Sequence, residues 1–210
     1  MSVSNHTLLK QAAEHLSTND AVLRPIIKLH GAPKISPQTH YYSRLIKSII
    51  SQQLSVKAAA AIQKRFQDLF DSDTPDPEAL LVVNTDLLKA AGLSQAKIRY
   101  IRDLAEHMIT GDLNFNTFTS LSNEEIISEL TRVKGIGEWT AHMFLMFCMG
   151  RLDVLASGDL GVRNGIRALY KLDTVPTPDE VRIVAEQHHW HPYESAACWY
   201  IWRSLENEPN

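Results

Sequence analysis

The residues whose types and spacing first point to chemistry are Val133-Lys134-Gly135-Ile136-Gly137-Glu138-Trp139-Thr140. Two glycines flank one isoleucine between two stretches of helical periodicity. Glycine lets backbone approach a ligand closely, and N–H groups at the start of the next helix form an anion site that needs no basic side chain. The same residues also fit a plain helix-to-helix turn with a glycine cap, and a short glycine motif does not decide between the two. Other reactive groups are sparse. His188, His189 and His191 bunch near a turn but lack a Cys or carboxylate at zinc-ligand spacing, so no side-chain metal site is expected. Cys148 and Cys198 are too few for a disulfide scaffold, a Cys-rich zinc site or a four-cysteine cluster. No cofactor is expected.

Helices must carry these residues. Apolar positions recur at helical spacing, as in Leu45, Ile46, Ile49, Ile50 and then Ala58, Ile62, Phe66, Leu69, Phe70, and sustained period-two alternation is missing. Ser36-Pro37, Asp76-Pro77 and Thr177-Pro178 each set a capping side chain before a proline suited to the first helical position. Ser122 with Glu125 and Thr177 with Glu180 fit the capping box. The pattern predicts helices over 4–17, 19–30, 38–51, 55–70, 76–83, 85–91, 95–109, 123–132, 138–149, 160–171, 178–188 and 192–206. The expected fold is all-α: two interlocked helical lobes in one domain spanning 1–210, a helix-hairpin-helix at about 123–149, and a ligand cleft between the lobes.

With 44% hydrophobic and 21% charged residues, the chain is neither disordered nor fibrous. Its 21 Lys and Arg against 24 Asp and Glu leave −3, so no general basic field draws in nucleic acid, and any DNA binding must be local. Nowhere do the ~18 uninterrupted apolar residues of a membrane span occur. The expectation is an intracellular protein that binds no membrane.

The hairpin, followed at a distance by Gly158-Asp159-Leu160-Gly161-Val162-Arg163, resembles the helix-hairpin-helix DNA glycosylase superfamily. Ser51-Gln52-Gln53-Leu54-Ser55-Val56-Lys57-Ala58-Ala59 and Ala91-Gly92-Leu93-Ser94-Gln95-Ala96-Lys97 resemble its alkylbase branch, 3-methyladenine DNA glycosylase II, in the compact yeast form. The likeness runs from about 38 to 205 in four ordered segments.

The resemblance implies a role for particular positions. Asp159 matches the family's catalytic aspartate, whose carboxylate stabilises the positive charge at C1′ as the base departs; an Asp at a helix start is also simply an N-cap. Trp139 stands where bifunctional members carry a lysine, and an indole can stack on a flipped cationic base instead. A core tryptophan is the plainer alternative. Trp202 aligns with a second pocket aromatic. Gln53 and Leu54 align with the loop that fills the space of the extruded nucleotide. Two positions depart from the pattern: Ser55, where some yeast-type members have a histidine in the minor groove, and Met143, where some relatives place a pocket tyrosine.

Lys134, Gly135, Ile136 and Gly137 are the expected phosphate-binding turn, with a monovalent cation expected on hairpin carbonyls. Arg163 and the basic residues Lys57, Lys64, Arg65, Lys97, Arg99 and Arg102 could supplement it along one DNA face, although most of them also read as ordinary solvated helix charges.

The reading implied is a monofunctional glycosylase that flips alkylated purines such as 3-methyladenine out of double-stranded DNA and hydrolyses the N-glycosidic bond, leaving an abasic site. The alternative is a protein of the same fold that binds abasic or distorted DNA without excision. A helical scaffold with no nucleic-acid partner leaves the ordered motifs unexplained.

Overall fold

The computed structural model describes residues 5–70 and 74–206. Among these are twelve α-helices and no strand, so the all-α expectation holds. In chain order they are α1 Asn5–Asn19, α2 Arg24–His30, α3 Tyr41–Ser51, α4 Val56–Gln67, α5 Pro77–Val82, α6 Thr85–Ala90, α7 Gln95–Thr110, α8 Asn123–Thr131, α9 Glu138–Phe144, α10 Leu160–Leu169, α11 Pro178–Gln187 and α12 Glu194–Glu206. The helices fall into two compact units, 39–144 and 5–38 with 145–206.

The unit 39–144 holds α3 to α9. Its core is built from the apolar stripes of α3 (Leu45, Ile46, Ile49, Ile50) and α7 (Ile98, Ile101, Leu104), all essentially buried. Helices α5 and α6 pack on α7, and α8 packs on α9. The connection after α7 is irregular, as its sequence suggests, but it is packed: Phe115 lies between Tyr41, Phe118 and Phe144, with ring centroids 5.2 to 6.2 Å apart. Such edge-to-face and stacked contacts bury large apolar area without a helix.

The other unit joins the chain's beginning to its end. Helix α12 packs against α1, α2 and α10, and Trp190, Tyr200, Leu16 and Leu23 are fully buried. A single carboxylate ties these parts together. Asp20 is fully buried; its Oδ1 accepts the N–H groups of Val22 and Leu23 at 2.8 and 3.0 Å. Its Oδ2 accepts the Trp190 Nε1–H at 2.8 Å and the Tyr170 hydroxyl. Burying a carboxylate is costly unless donors replace its water, and four do so here. Burial and the bond to Asp20 push the Tyr170 phenol well above its ordinary value.

Helix ends follow the capping rules with informative exceptions. Both expected capping boxes form, at Ser122 with Glu125 and at Thr177 with Glu180. Ser36-Pro37 does not start a helix: α3 begins at Tyr41, after His40, without a side-chain cap. The helix expected over 19–30 begins at Arg24, because Asp20 holds residues 20–23 in turns. Asp76 precedes α5 without making a side-chain cap bond. The helix expected over 138–149 is α-helical to Phe144, and a π-helical turn occupies Leu145–Met149.

Asp20→Ala would leave two main-chain N–H groups, an indole N–H and a phenol without their acceptor. Urea unfolding should show a loss of about 3 kcal/mol or more, since each buried donor left unmet costs about 1–3 kcal/mol. A loss below about 1 kcal/mol would contradict the hub role assigned to Asp20.

Candidate functional site

The hairpin between α8 and α9 is held by side chains from α7 and from the residue that caps α3. The Val133 N–H donates to the Leu130 carbonyl and the Ile136 N–H to the Val133 carbonyl, which sets the turn. Asp103 then takes the Lys134 N–H at 2.8 Å and pairs with the Lys134 ammonium as well. Burial alone would raise the Asp103 carboxyl; the hydrogen bonds and charge of Lys134, aided by His107, overcome it and hold the group below the usual carboxylate range. Gln52 Nε2 donates to the Gly135 carbonyl at 2.7 Å.

The two glycines of the turn differ. Gly135 has φ +84°, and a Cβ there would lie 2.3 Å from the Tyr100 ring. No such demand exists at Gly137, where a Cβ would meet nothing within 4 Å. The fold therefore requires glycine at 135 and leaves 137 open to an outside constraint. Ile136 is 3% exposed and fills the core. Neither Gly135 nor Gly137 donates its N–H to another described residue, so these two amides, rather than that of Ile136, are placed for an anion. Lys134 adds less positive charge to the turn than its type suggests, because Asp103 partners it.

The turn between α3 and α4 lies in the same unit. Lys97 Nζ donates to the carbonyls of Ile50 and Gln52 at 2.7 and 2.9 Å, closing the end of α3. Burial lowers the Lys97 pKa. Gln53 follows with φ +57°, the left-handed region that non-glycine residues rarely enter. Leu54 is 37% exposed at the tip, and its N–H returns to the Ser51 carbonyl. Ser55 Oγ accepts the Ala58 N–H and caps α4. A cavity of about 590 Å³ is lined by Ser51, Gln52, Gln53, Lys97, Tyr100 and Trp139 among others. Trp139 is 52% exposed, which removes the core-tryptophan alternative. Met143 stands four residues on, so α9 sets both on one face.

In the other unit Asp159 caps α10. Its Oδ1 accepts the Val162 N–H at 2.7 Å and the Trp202 Nε1–H at 2.9 Å. Gly161 makes that second bond possible, since a Cβ would stand 3.0 Å from Asp159 Oδ1 and 3.1 Å from Trp202 Nε1. The irregular approach to Asp159 is pinned by buried Ser195, whose Oγ donates to the Val154 carbonyl and accepts the Val154 N–H, both at 3.1 Å. Burial, with Asp159 and Glu194 nearby, pushes the Cys198 thiol up to about 12, so it stays protonated and unreactive. Phe147 lies 5.9 Å from Trp202, ring to ring.

Most of the expected basic face is committed elsewhere. Arg65 donates to the Ala91 carbonyl, Arg102 to that of Val83 and Arg163 to that of Pro176, at 2.6 to 2.9 Å. Lys64 pairs with Asp68 at 3.6 Å. The arginine bonds stabilise loops and occupy side chains that the sequence offers to a DNA face. Gln52, Tyr100, Asp103 and Phe147 escaped the sequence reading. Only Phe147 carried a local signal, lying four residues beyond Met143.

Known proteins resemble this chain in sequence and fold. Residues 46–188 match the family described as HhH-GPD superfamily base excision DNA repair protein. DNA-3-methyladenine glycosylase 1 of Schizosaccharomyces pombe is 36% identical over 203 residues, covering 94% of this chain and 88% of its own. The crystal structure of a Bacillus halodurans DNA-3-methyladenine glycosidase matches with TM-score 0.84 and 36% identity, over 93% of this chain and 89% of that one. The Schizosaccharomyces pombe 3-methyladenine DNA glycosylase in complex with abasic DNA matches with TM-score 0.81 and 37% identity, over 93% and 97%.

The contrast between the glycines is testable without any ligand. Gly135→Ala should destabilise the protein by at least about 2 kcal/mol, combining left-handed strain with overpacking against Tyr100. Gly137→Ala should fold with unchanged or slightly higher stability, since the substitution meets open space. Chemical denaturation of the two variants checks this, and equal effects would refute the assignment.

Proposed function

Because the chain belongs to the HhH-GPD superfamily of base excision DNA repair proteins, we propose that it is a monofunctional alkylbase DNA glycosylase. It hydrolyses the N-glycosidic bond of alkylated purines such as 3-methyladenine in double-stranded DNA and leaves an abasic site. The observation that carries this reading is Asp159, a capping carboxylate kept in one orientation by Val162 and Trp202.

In the reaction the C1′–N bond breaks and its electron pair leaves with the base. An alkylated purine carries positive charge, so it departs neutral and needs little acid catalysis. Positive charge passes to C1′, where the Asp159 carboxylate stabilises it. Water then forms the new C1′–O bond and loses a proton. Asp159 is fixed before substrate arrives, so little reorganisation is required at the moment of reaction.

The remaining positions divide the work of presenting the base. Gly135 and Gly137 offer N–H groups to a backbone phosphate. Leu54, with Gln53, fills the space the extruded nucleotide leaves. Trp139 stacks on the cationic base and Met143 extends its apolar face, while in the other unit Trp202 orients Asp159 and lies against Phe147. Ser55 meets the backbone beside the lesion. With tryptophan at 139 no amine is set there to attack C1′, so hydrolysis ends at the abasic site.

Carbonyl oxygens are neutral hard donors that suit a monovalent cation. Those of Val133 and Gly135 each accept one bond within the chain and keep a second lone pair, so the turn fits such an ion, which would add positive charge beside the phosphate. The protein acts as a monomer wherever the genome lies, in a nucleus or a bacterial nucleoid. Among the described residues no helix is long and apolar enough to cross a membrane.

Purified protein given methylated duplex DNA should release 3-methyladenine and leave an unbroken strand, and borohydride should trap no covalent adduct. Strand nicking with a trapped adduct would overturn the monofunctional assignment, and binding without base release would overturn the enzyme. Trp139→Ala should lower excision by about ten- to a hundredfold, since stacking a base on an aromatic contributes about 1–3 kcal/mol in single-strand binders. Unchanged excision would remove Trp139 from the pocket.

A further inference from the structure

Gln52 has no part in the chemistry above, yet it joins two elements that have. Its side-chain amide reaches the Gly135 carbonyl, 83 residues along the chain, at 2.7 Å. Its own carbonyl accepts the Lys97 ammonium at 2.9 Å. Immediately after it, Gln53 takes φ +57° and Leu54 stands at the tip of the turn. On the other side, Ser51 Oγ donates to the Lys47 carbonyl and accepts from Gln63 Nε2 at 2.8 Å. Bonds from α4, α7 and the hairpin thus fix the turn that carries Leu54.

We propose that Gln52 is a positioning residue that locks the Leu54 turn to the phosphate-binding hairpin, so that seating a backbone phosphate on the hairpin fixes how far Leu54 enters the duplex. The inference rests on the glycosylase reading. A strained left-handed residue such as Gln53 keeps its conformation only where its surroundings over-determine it. The bonds of Gln52 supply that constraint on its amino-terminal side. Without the Gln52 bridge the turn remains tied to α7 by Lys97 but loses its fixed spacing from the hairpin. Phosphate capture then survives while insertion becomes less favourable. A wedge that is loose by a fraction of an ångström loses gap-filling contact, which intact DNA never requires.

This differs from a purely structural role in what it predicts. A structural bond would weaken the protein and affect every DNA alike. A positioning bond acts through Leu54, so its effect should vanish once Leu54 is gone.

The test is a double-mutant cycle on the full chain with Gln52→Met, which keeps side-chain length and removes the donor, and Leu54→Gly. Affinity for an intact duplex and for an abasic-site duplex is measured by fluorescence anisotropy, alongside single-turnover release of 3-methyladenine. Gln52→Met should hold intact-duplex affinity within about twofold and lower abasic-site affinity and the excision rate about fivefold, the scale of one hydrogen bond. In the Leu54→Gly background the same substitution should change neither by more than about twofold.

Lys97→Met, which frees the Gln52 carbonyl from the other side, should reproduce the pattern and serves if Gln52→Met does not fold. Equal losses on intact and abasic DNA, or a full effect in the Leu54→Gly background, would overturn the proposal. If the unaltered protein bound methylated and abasic duplexes no better than intact DNA and released no base, the glycosylase reading would fall and this inference with it.

Discussion

The rigid seating of Asp159 is the constraint around which its unit is organised, and the proposed reaction, in which this carboxylate meets a developing cation, depends on it. Two neutral donors hold Asp159 Oδ1: the Val162 N–H of its own helix and the Trp202 indole of α12. The arrangement makes demands on its neighbours. Residue 161 must be small, because the indole crosses directly over it. The segment before Asp159 must be rigid without being helical, which Ser195 achieves by bonding both main-chain groups of Val154. Helix α12 must be well seated, and α1, α2 and α10 all pack on it.

The other unit meets a parallel demand by a different route. A protein with net charge −3 cannot rely on a basic field, and several of its basic side chains are tied to carbonyls, among them Arg65, Lys97, Arg102 and Arg163. The groups proposed to bind an anion are main-chain amides in a turn of fixed shape. Asp103 and Tyr100 supply the fixing. An acidic residue beside a phosphate site is unfavourable by charge alone, but Asp103 brings its own counterion in Lys134, so the hairpin gains an anchor with little added repulsion.

The helices were legible because apolar periodicity and caps are local. Ser122 with Glu125 and Thr177 with Glu180 act within one turn, and both boxes formed. Helix starts were misplaced where a distant partner intervened: Asp20 holds its turn together with Trp190 and Tyr170, which no window around residue 20 contains. At the site, Asp159, Trp139 and the hairpin were visible as motif letters. What positions them was not, because the bonds of Gln52 to Gly135, Asp103 to Lys134 and Trp202 to Asp159 span 83, 31 and 43 residues. Sequence spacing also treated Gly135 and Gly137 alike, whereas only the Tyr100 ring and a left-handed φ make Gly135 obligatory.

Asp159→Asn tests the central claim most directly. Asparagine is as good an N-cap as aspartate, and its oxygen can still accept from Val162 and Trp202, so the local structure should survive while the negative charge disappears. Single-turnover release of 3-methyladenine from methylated duplex DNA, measured beside abasic-site affinity, separates charge from structure. The account predicts a loss of about a hundredfold or more in the excision rate, with abasic-site affinity unchanged within about threefold. Excision at the unaltered rate by a well-folded Asp159→Asn protein would contradict it.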